Sequence, residues 1–247
     1  MSTVYRSCVY KITTGFDRQP GAKGVPPMWP TVLGVVFVAF SLTHIVFLAV
    51  DNKALASSTK PVLMPLLAAY YLVSALTRYG AVALPILAGV IFGFLGDALL
   101  LNTTRERRFL LGLGAFLAGH LLYVLGFLLS VSAAHSHPVP LFFLALIPLA
   151  GYGFWYLNHL WRELADRAPA VTLYVVVIIA MTFVALVRAS AIGSPGAWIV
   201  VIGSLFFVVS DSLLGIQLFR ASTRILRVAV MSSYIAAQLL IVQGFLL

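Results

Sequence analysis

Polar residues are so sparse along this chain that its organisation is set by uninterrupted apolar runs. Eight follow one another, at about 29–50, 61–77, 81–101, 109–131, 139–161, 170–189, 197–219 and 227–246. Each approaches the ~20 residues that an α-helix needs to cross the hydrocarbon of a bilayer. None alternates like a barrel strand, and backbone groups in lipid must be satisfied within the segment, so helices are the predicted form. The run at 61–77 is short and holds Pro65, which predicts a tilt or kink. The connections are short, which makes consecutive helices antiparallel neighbours. The predicted class is an all-α polytopic membrane protein: a polar basic tail over 1–28, then an eight-helix transmembrane domain over 29–247.

Composition agrees. The 247 residues are 62% hydrophobic and 9% charged, with a mean hydropathy of +1.04, whereas a soluble domain is about a quarter charged. The net charge of +9 does not point to nucleic acid, because the basic residues lie between apolar runs and form no continuous face. That is the distribution of juxtamembrane anchors and of contacts to lipid headgroups. A single cysteine, Cys8, excludes an internal disulfide.

The charges also orient the chain. Connections after the first, third, fifth and seventh runs hold Lys53, Lys60, Arg105, Arg107, Arg108, Arg162, Arg167, Arg220, Arg224 and Arg227; the others hold Arg78 and Arg188. The positive-inside rule places the first set in the cytoplasm and both termini outside. The four basic residues of the tail oppose that assignment.

Most acidic residues fall in the tail or beside connections. Asp97 and Asp211 do not; each sits inside a run, where an ionisable group costs about 2.5–3.5 kcal/mol on insertion scales. Their contexts match. Shifted by 114 residues, GVIFGFLGDALL (89–100) overlies GSLFFVVSDSLL (203–214), with Gly89 on Gly203, Phe92 on Phe206 and Asp97 on Asp211. A shift of four spans keeps orientation and suggests two parallel four-helix repeats. Both carboxyls would then lie at similar depth and face one cavity. Gly89 and Gly93 form a small-xxx-small pattern on the face of Asp97, which places it at a helix seam.

Further polar residues sit one helix onward. His120 and Tyr123 share a face, three residues apart, and Tyr234 and Gln238 share another at i, i+4. Under the same shift Tyr234 overlies His120. A lone intramembrane histidine is most often a satisfied hydrogen-bonding residue; beside two acids it also becomes a group that orients or titrates with them. His44 lies at a depth close to Asp97 and could join His120 and both acids at a metal, but no compact ligand spacing supports one. Neither metal nor cofactor is predicted. His135 and His137 look like ordinary loop residues, and the glycosylation triplet at Asn102 abuts the predicted cytoplasmic side.

Lys60-Pro61, Gly96-Asp97, the G-H-x-x-Y run from Gly119 to Tyr123, Ser210-Asp211 and MSSYIAAQ (231–238) together resemble the lysoplasmalogenase-like (YhhN-type) membrane protein family, over about residues 60–244. The long basic tail departs from the family's compact pattern. The resemblance implies hydrolysis of the vinyl ether bond of lysoplasmalogens, or of a related ether lysolipid, to a fatty aldehyde and a glycerophospho-base. It also implies that Asp97 and Asp211 are the catalytic acids. That chemistry requires one protonated carboxyl and one carboxylate, a division favoured where two acids share an apolar pocket, as in glycosidases with their oxocarbenium-like transition state. Which acid takes which part stays open. His120, Tyr123, Tyr234 and Gln238 are the expected positioning groups for water and the lipid's polar atoms. Lys60, Arg105, Arg108, Arg224 and Arg227 are either phosphate ligands or plain membrane anchors. Two other classes fit the residues: a proton-coupled carrier, which also needs paired acids and a repeat, and a non-catalytic lipid-binding protein.

Overall fold

A computed structural model describes residues 28–101, 106–134 and 140–247. The expectations for the tail, Arg105, the Asn102 triplet, His135 and His137 lie outside the described residues. The described chain is helical, with α1 (Trp29–Ala49), α2 (Lys53–Tyr79), α3 (Leu84–Leu100), α4 (Glu106–Ala134), α5 (Leu146–Leu164), α6 (Ala168–Ile192), α7 (Pro195–Phe219) and α8 (Arg224–Leu246). Short 3-10 turns at Pro140–Ala145 and Ala165–Arg167 precede α5 and α6. Six segments are long and apolar enough to cross a membrane; one of them, Phe142–Ile192, contains both α5 and α6. Helix α3 is apolar but only 17 residues long.

The ends follow local chemistry. Asn52, Ser194 and Thr223 cap α2, α7 and α8 by accepting from Leu55, Ala197 and Leu226 backbone N–H groups, as short oxygen-bearing side chains do. Gly80 and Gly193 end α2 and α6 in the left-handed region, φ 66° and 72°, where a Cβ is costly. Helix α2 begins about two turns before the run expected at 61–77. The Asn52 cap starts it early, so Lys53 and Lys60 are helical, not loop residues. Arg188, expected in a connection, is instead buried in α6, with Nε donating to Ser130 Oγ at 2.8 Å and its guanidinium 4.4 Å from the Phe245 ring.

Packing is tightest between α3 and α4 and between α7 and α8, and small residues explain both. A methyl on Gly89 would stand 2.5 Å from the Tyr123 ring, and one on Gly244 would stand 2.5 Å from the Gly196 carbonyl. Backbones approach this closely only where side chains are missing. One sequential pair fails the expectation of neighbours: α5 packs on α6 and α7 and not along α4, which packs on α6 instead. The outward faces carry Val35, Leu42, Ile147, Phe154, Trp161 and Val176, all exposed, as suits lipid contact.

Three ion pairs bring the odd-numbered connections to one end of the bundle. Arg227 pairs with Asp51, Arg220 with Glu163 at 2.8 Å, and Arg167 with Glu106 at 3.6 Å. The 114-residue offset recurs in the backbone: Asp51 and Ala165, the described non-glycine residues with positive φ (58° and 45°), are that far apart. The spans of α1 to α4 also fall on those of α5 to α8 at that offset, to within a few residues.

Candidate active site

On α3 the buried positions are Ile86, Gly89, Val90, Gly93, Gly96 and Asp97. They form one stripe at helical spacing, and Asp97 is its last member. The carboxyl is therefore carried inward by the face that packs α3 against α4 and α8. Its Oδ1 receives Lys60 Nζ from α2 at 3.0 Å, while Oδ2 is buried without a hydrogen-bond partner. The Tyr234 hydroxyl of α8 lies beside it. Gly93 keeps that space open: a methyl there would meet Gln238 Nε2 at 2.7 Å and the Tyr234 hydroxyl at 2.8 Å. Gly93 was expected at a helix seam, and the seam turns out to be filled by polar side chains.

From Tyr234 a chain of hydrogen bonds runs away from Asp97. Gln238 Nε2 reaches the Tyr234 hydroxyl at 3.4 Å, and Tyr123 donates to Gln238 Oε1 at 2.5 Å. Three of the four predicted positioning residues, Tyr123, Tyr234 and Gln238, are thus one network.

His120 belongs to the other acid. Its Nδ1 is 2.7 Å from the Phe116 carbonyl, which can only accept, so Nδ1 carries a proton. Its Nε2 stands 3.5 Å from Asp211 Oδ2 on α7. A proton held between Nε2 and Oδ2 would satisfy both. Tyr174 on α6 donates to the same carboxylate oxygen at 2.5 Å. No Lys or Arg among the described residues pairs with Asp211, and its electrostatic environment includes Asp97.

The contacts are crossed. Asp97 of the first half meets Tyr234 of the second, and Asp211 of the second meets His120 of the first. Lys60 and Tyr174, which bind the two acids from α2 and α6, are themselves 114 residues apart. Rings link the two clusters: Phe207 packs on His120, Tyr123 and Tyr234 with centroids 4.9, 6.1 and 5.8 Å away, and Phe116 meets Tyr234 edge-on at 5.9 Å.

Asp211 opens on a narrow cleft between α4, α5, α6 and α7, walled by residues such as Phe109, Leu113, Val175, Ile178 and Val208. It occupies the gap left because α5 does not pack along α4. Beside Asp211, Tyr152 donates to Ser212 Oγ at 2.8 Å and Tyr156 to the Ser212 carbonyl at 3.0 Å, tying α5 to α7. Tyr174, Phe207 and Phe116 were missed by sequence reasoning. Tyr174 sits in a run of Val, Leu and Ile, where a tyrosine reads as an interfacial aromatic. His44 does not join the acids; its Nδ1 is 2.7 Å from Thr59 Oγ1. Among the described residues no group of three His, Cys, Asp or Glu gathers to hold a metal.

A model of the YhhN family matches residues 55–245. The chain belongs to the YhhN family. That match includes every residue of both acid clusters. Proteins named Lysoplasmalogenase from Mycobacterium bovis and Mycobacterium tuberculosis are each 35% identical to the chain over 152 residues, 61% of this chain and 56% of theirs. The chain thus spans a little over half the length of the curated relatives it matches. No solved structure matches it. Like its family, the chain is an integral, multi-pass membrane protein.

Proposed function

We propose that this YhhN-family chain is a membrane-embedded hydrolase that cleaves the vinyl ether bond of a lysoplasmalogen, or of a related ether lysolipid, using Asp97 and Asp211 as its acid–base pair. The observation that carries this reading is the unlike setting of two buried carboxyls whose partners, Tyr234 and His120, pack on one shared ring, Phe207. Asp97 has a cation, Lys60, at 3.0 Å and is suited to act as the carboxylate. Asp211 has a hydroxyl and an imidazole instead of a cation, and faces an apolar cleft. That suits a carboxylic acid that holds and delivers a proton.

In the proposed reaction Asp211 protonates the outer carbon of the alkene, and the resulting oxocarbenium ion is stabilised by the nearby Asp97 carboxylate. Water adds to the carbon bonded to oxygen while Asp97 takes its proton, giving a hemiacetal. The hemiacetal breaks its bond to the glycerol oxygen, which gains a proton as the hydroxyl loses one, and the products are aldehyde and glycerophospho-base. The proton left on Asp97 is released to solvent, and Asp211 regains one through His120, whose Nε2 lone pair takes up a proton from water and passes it to Oδ2. Tyr234, Tyr123 and Gln238 hold the water, and the hydrocarbon chain occupies the cleft beside Asp211, as expected of a mostly apolar pocket with few polar groups. The names of the relatives support this substrate class.

The same reading treats residues 29–247 as one domain in which all eight helices cross the membrane as two parallel four-helix halves, with the odd-numbered connections in the cytoplasm. The crossed contacts and the recurring offset support the halves. Helices α3 and α7 run unbroken through both acids, unlike the discontinuous helices that form carrier sites.

The test is aldehyde release from lysoplasmalogen by purified protein in detergent, beside Asp97→Asn and Asp211→Asn. The expected result is turnover by the native chain and a loss of at least about a thousandfold in each variant, the scale on which triad members fail. Folded protein that releases no aldehyde from any ether lysolipid, yet drives acid-dependent solute uptake in liposomes, would establish the carrier instead.

A further inference from the structure

At the end of the bundle where the odd-numbered connections meet, α1, α2, α7 and α8 surround a second, roomier pocket. Its chemistry is opposite to that of the Asp211 cleft. Lys53, Lys60 and Arg227 bring three cations to it, and His44 and Gln217 bring neutral acceptors. Leu214 lines this pocket and the Asp211 cleft alike, so one side chain borders both.

The acceptors are unfilled. His44 is 1% exposed. The Thr59 hydroxyl beside it donates to the Leu55 carbonyl at 2.8 Å, so it accepts from His44 Nδ1–H at 2.7 Å. That leaves a lone pair on Nε2, which is buried without a partner, as is Gln217 Oε1. Buried polar atoms in folded proteins are nearly always hydrogen-bonded, so this pocket is built to receive a donor. The cations ask for an anion as well. Arg227 is held by Asp51 and Lys60 by Asp97, but an ammonium has three donors and a guanidinium five, enough to serve a carboxylate and a phosphate together.

We propose that this vestibule binds the glycerophosphate head of a lysophospholipid, with Lys53, Lys60 and Arg227 on the phosphate and His44 Nε2 accepting the free glycerol hydroxyl. A lipid with two chains has an ester or ether at that position and offers no proton, so His44 selects lysolipids. The placement rests on the hydrolase reading for its consequence: only the glycerol separates a phosphate held by Lys60 from an ether bond at Asp97, and the chain passes Leu214 into the apolar cleft. His44 and Lys53 precede residue 55, where the family match begins, so part of this site lies outside what the match describes.

The test measures binding of uncleavable probes to the full chain in detergent, so it does not depend on turnover. The probes are 1-palmitoyl lysophosphatidylethanolamine, its 2-O-methyl analogue, and 1-palmitoylglycerol. Native protein is expected to bind the lysolipid at least about tenfold tighter than either of the others, a difference one good polar contact supplies. Lys53→Gln should erase the preference over palmitoylglycerol and Lys53→Arg should keep it. His44→Leu should erase the preference over the 2-O-methyl analogue while leaving that over palmitoylglycerol. Equal binding of lysolipid and palmitoylglycerol by the native chain overturns the phosphate site, whatever the aldehyde assay shows. Equal binding of lysolipid and its methyl ether overturns the role of His44. Glycerol 3-phosphate displacing a fluorescent lysolipid as well as palmitoyl lysolipid does would assign the vestibule to a soluble phosphate ester and overturn the lipid. Absence of aldehyde release with these preferences intact would end the hydrolase reading and leave the vestibule standing.

Discussion

The Lys60–Asp97 pair is asymmetric, and its asymmetry fixes the order in which its variants fail. Lys60 Nζ and Asp97 Oδ1 are 3.0 Å apart, with side chains 21% and 5% exposed. Removing one member of a buried pair costs about 3–5 kcal/mol, because the other charge is stranded. Lys60→Met strands Asp97, whose Oδ2 already lacks a partner. With Lys60 a fifth exposed and partly screened, the expected cost is about 2–3 kcal/mol. Asp97→Asn strands a lysine instead, and its flexible stem can carry the ammonium into the vestibule. That variant should cost about 1 kcal/mol, the worth of an ordinary hydrogen bond. The double variant leaves no stranded charge, so it should cost about 1–2 kcal/mol, which is less than the sum of the singles. Detergent-solubilised protein titrated with SDS, followed by tryptophan fluorescence, gives all three values. A double variant that is additive to within about 0.5 kcal/mol, or an Asp97→Asn that unfolds before Lys60→Met, would refute the pair as drawn.

Two further outcomes follow from the geometry. Tyr174→Phe removes the 2.5 Å hydrogen bond to Asp211, which becomes a bond to a charged group, worth about 1.5–3 kcal/mol, only as Asp211 gives up its proton, so the rate of aldehyde release should fall roughly 10–100-fold with KM little changed, and an unchanged rate would remove Tyr174 from the site. Gly89→Ala drives a methyl to within 2.5 Å of the Tyr123 ring, which is itself held by Gln238 and stacked on Phe127, and should destabilise by about 1–3 kcal/mol; Gly114→Ala, with nothing within 4 Å, should be neutral or stabilise by up to about 1 kcal/mol, and thermal unfolding of both in detergent checks the contrast.

Six segments able to cross a membrane were legible because length and hydropathy alone select them, and the acids because a carboxyl stands out in an apolar run. What the pattern hid was whatever depended on three dimensions. The polar stretch KALASSTK looks like a connection, yet a single cap at Asn52 winds it into α2, and that extra helix brings Lys60 down to Asp97. Counting charges at helix ends presumes that charges end helices, and Arg188 does not; it is buried on Phe245 instead. Repeat matching overlaid His120 on Tyr234, each one helix onward from the Asp of its own half. The fold pairs them crosswise, because α4 and α8 each reach the acid of the opposite half.

That crossing also gives the two pockets a common origin in geometry. Lys60 and Ser57 line the vestibule; 114 residues on, Tyr174 and Val171 line the cleft. Leu101 and Gly215 stand in the same relation. Positions 114 residues apart thus line both spaces, cationic in one and apolar in the other. An amphiphile presents the same contrast, a charged head and an oily tail joined by a few bonds. Two like pockets around two like acids would treat the ends of such a molecule alike. These differ in the sense that the proposed hydrolase requires: a head against Lys60, a chain against Val171, and the ether between Asp97 with its cation and Asp211 with its hydroxyl and imidazole. If so, exchanging the characters should reverse the fit: Lys60→Tyr with Tyr174→Lys would move the cation from Asp97 to Asp211, and lysolipid binding should fall to the level of palmitoylglycerol even though composition and net charge are unchanged. Undiminished lysolipid preference in that exchange would show that the head does not depend on which pocket holds the lysine.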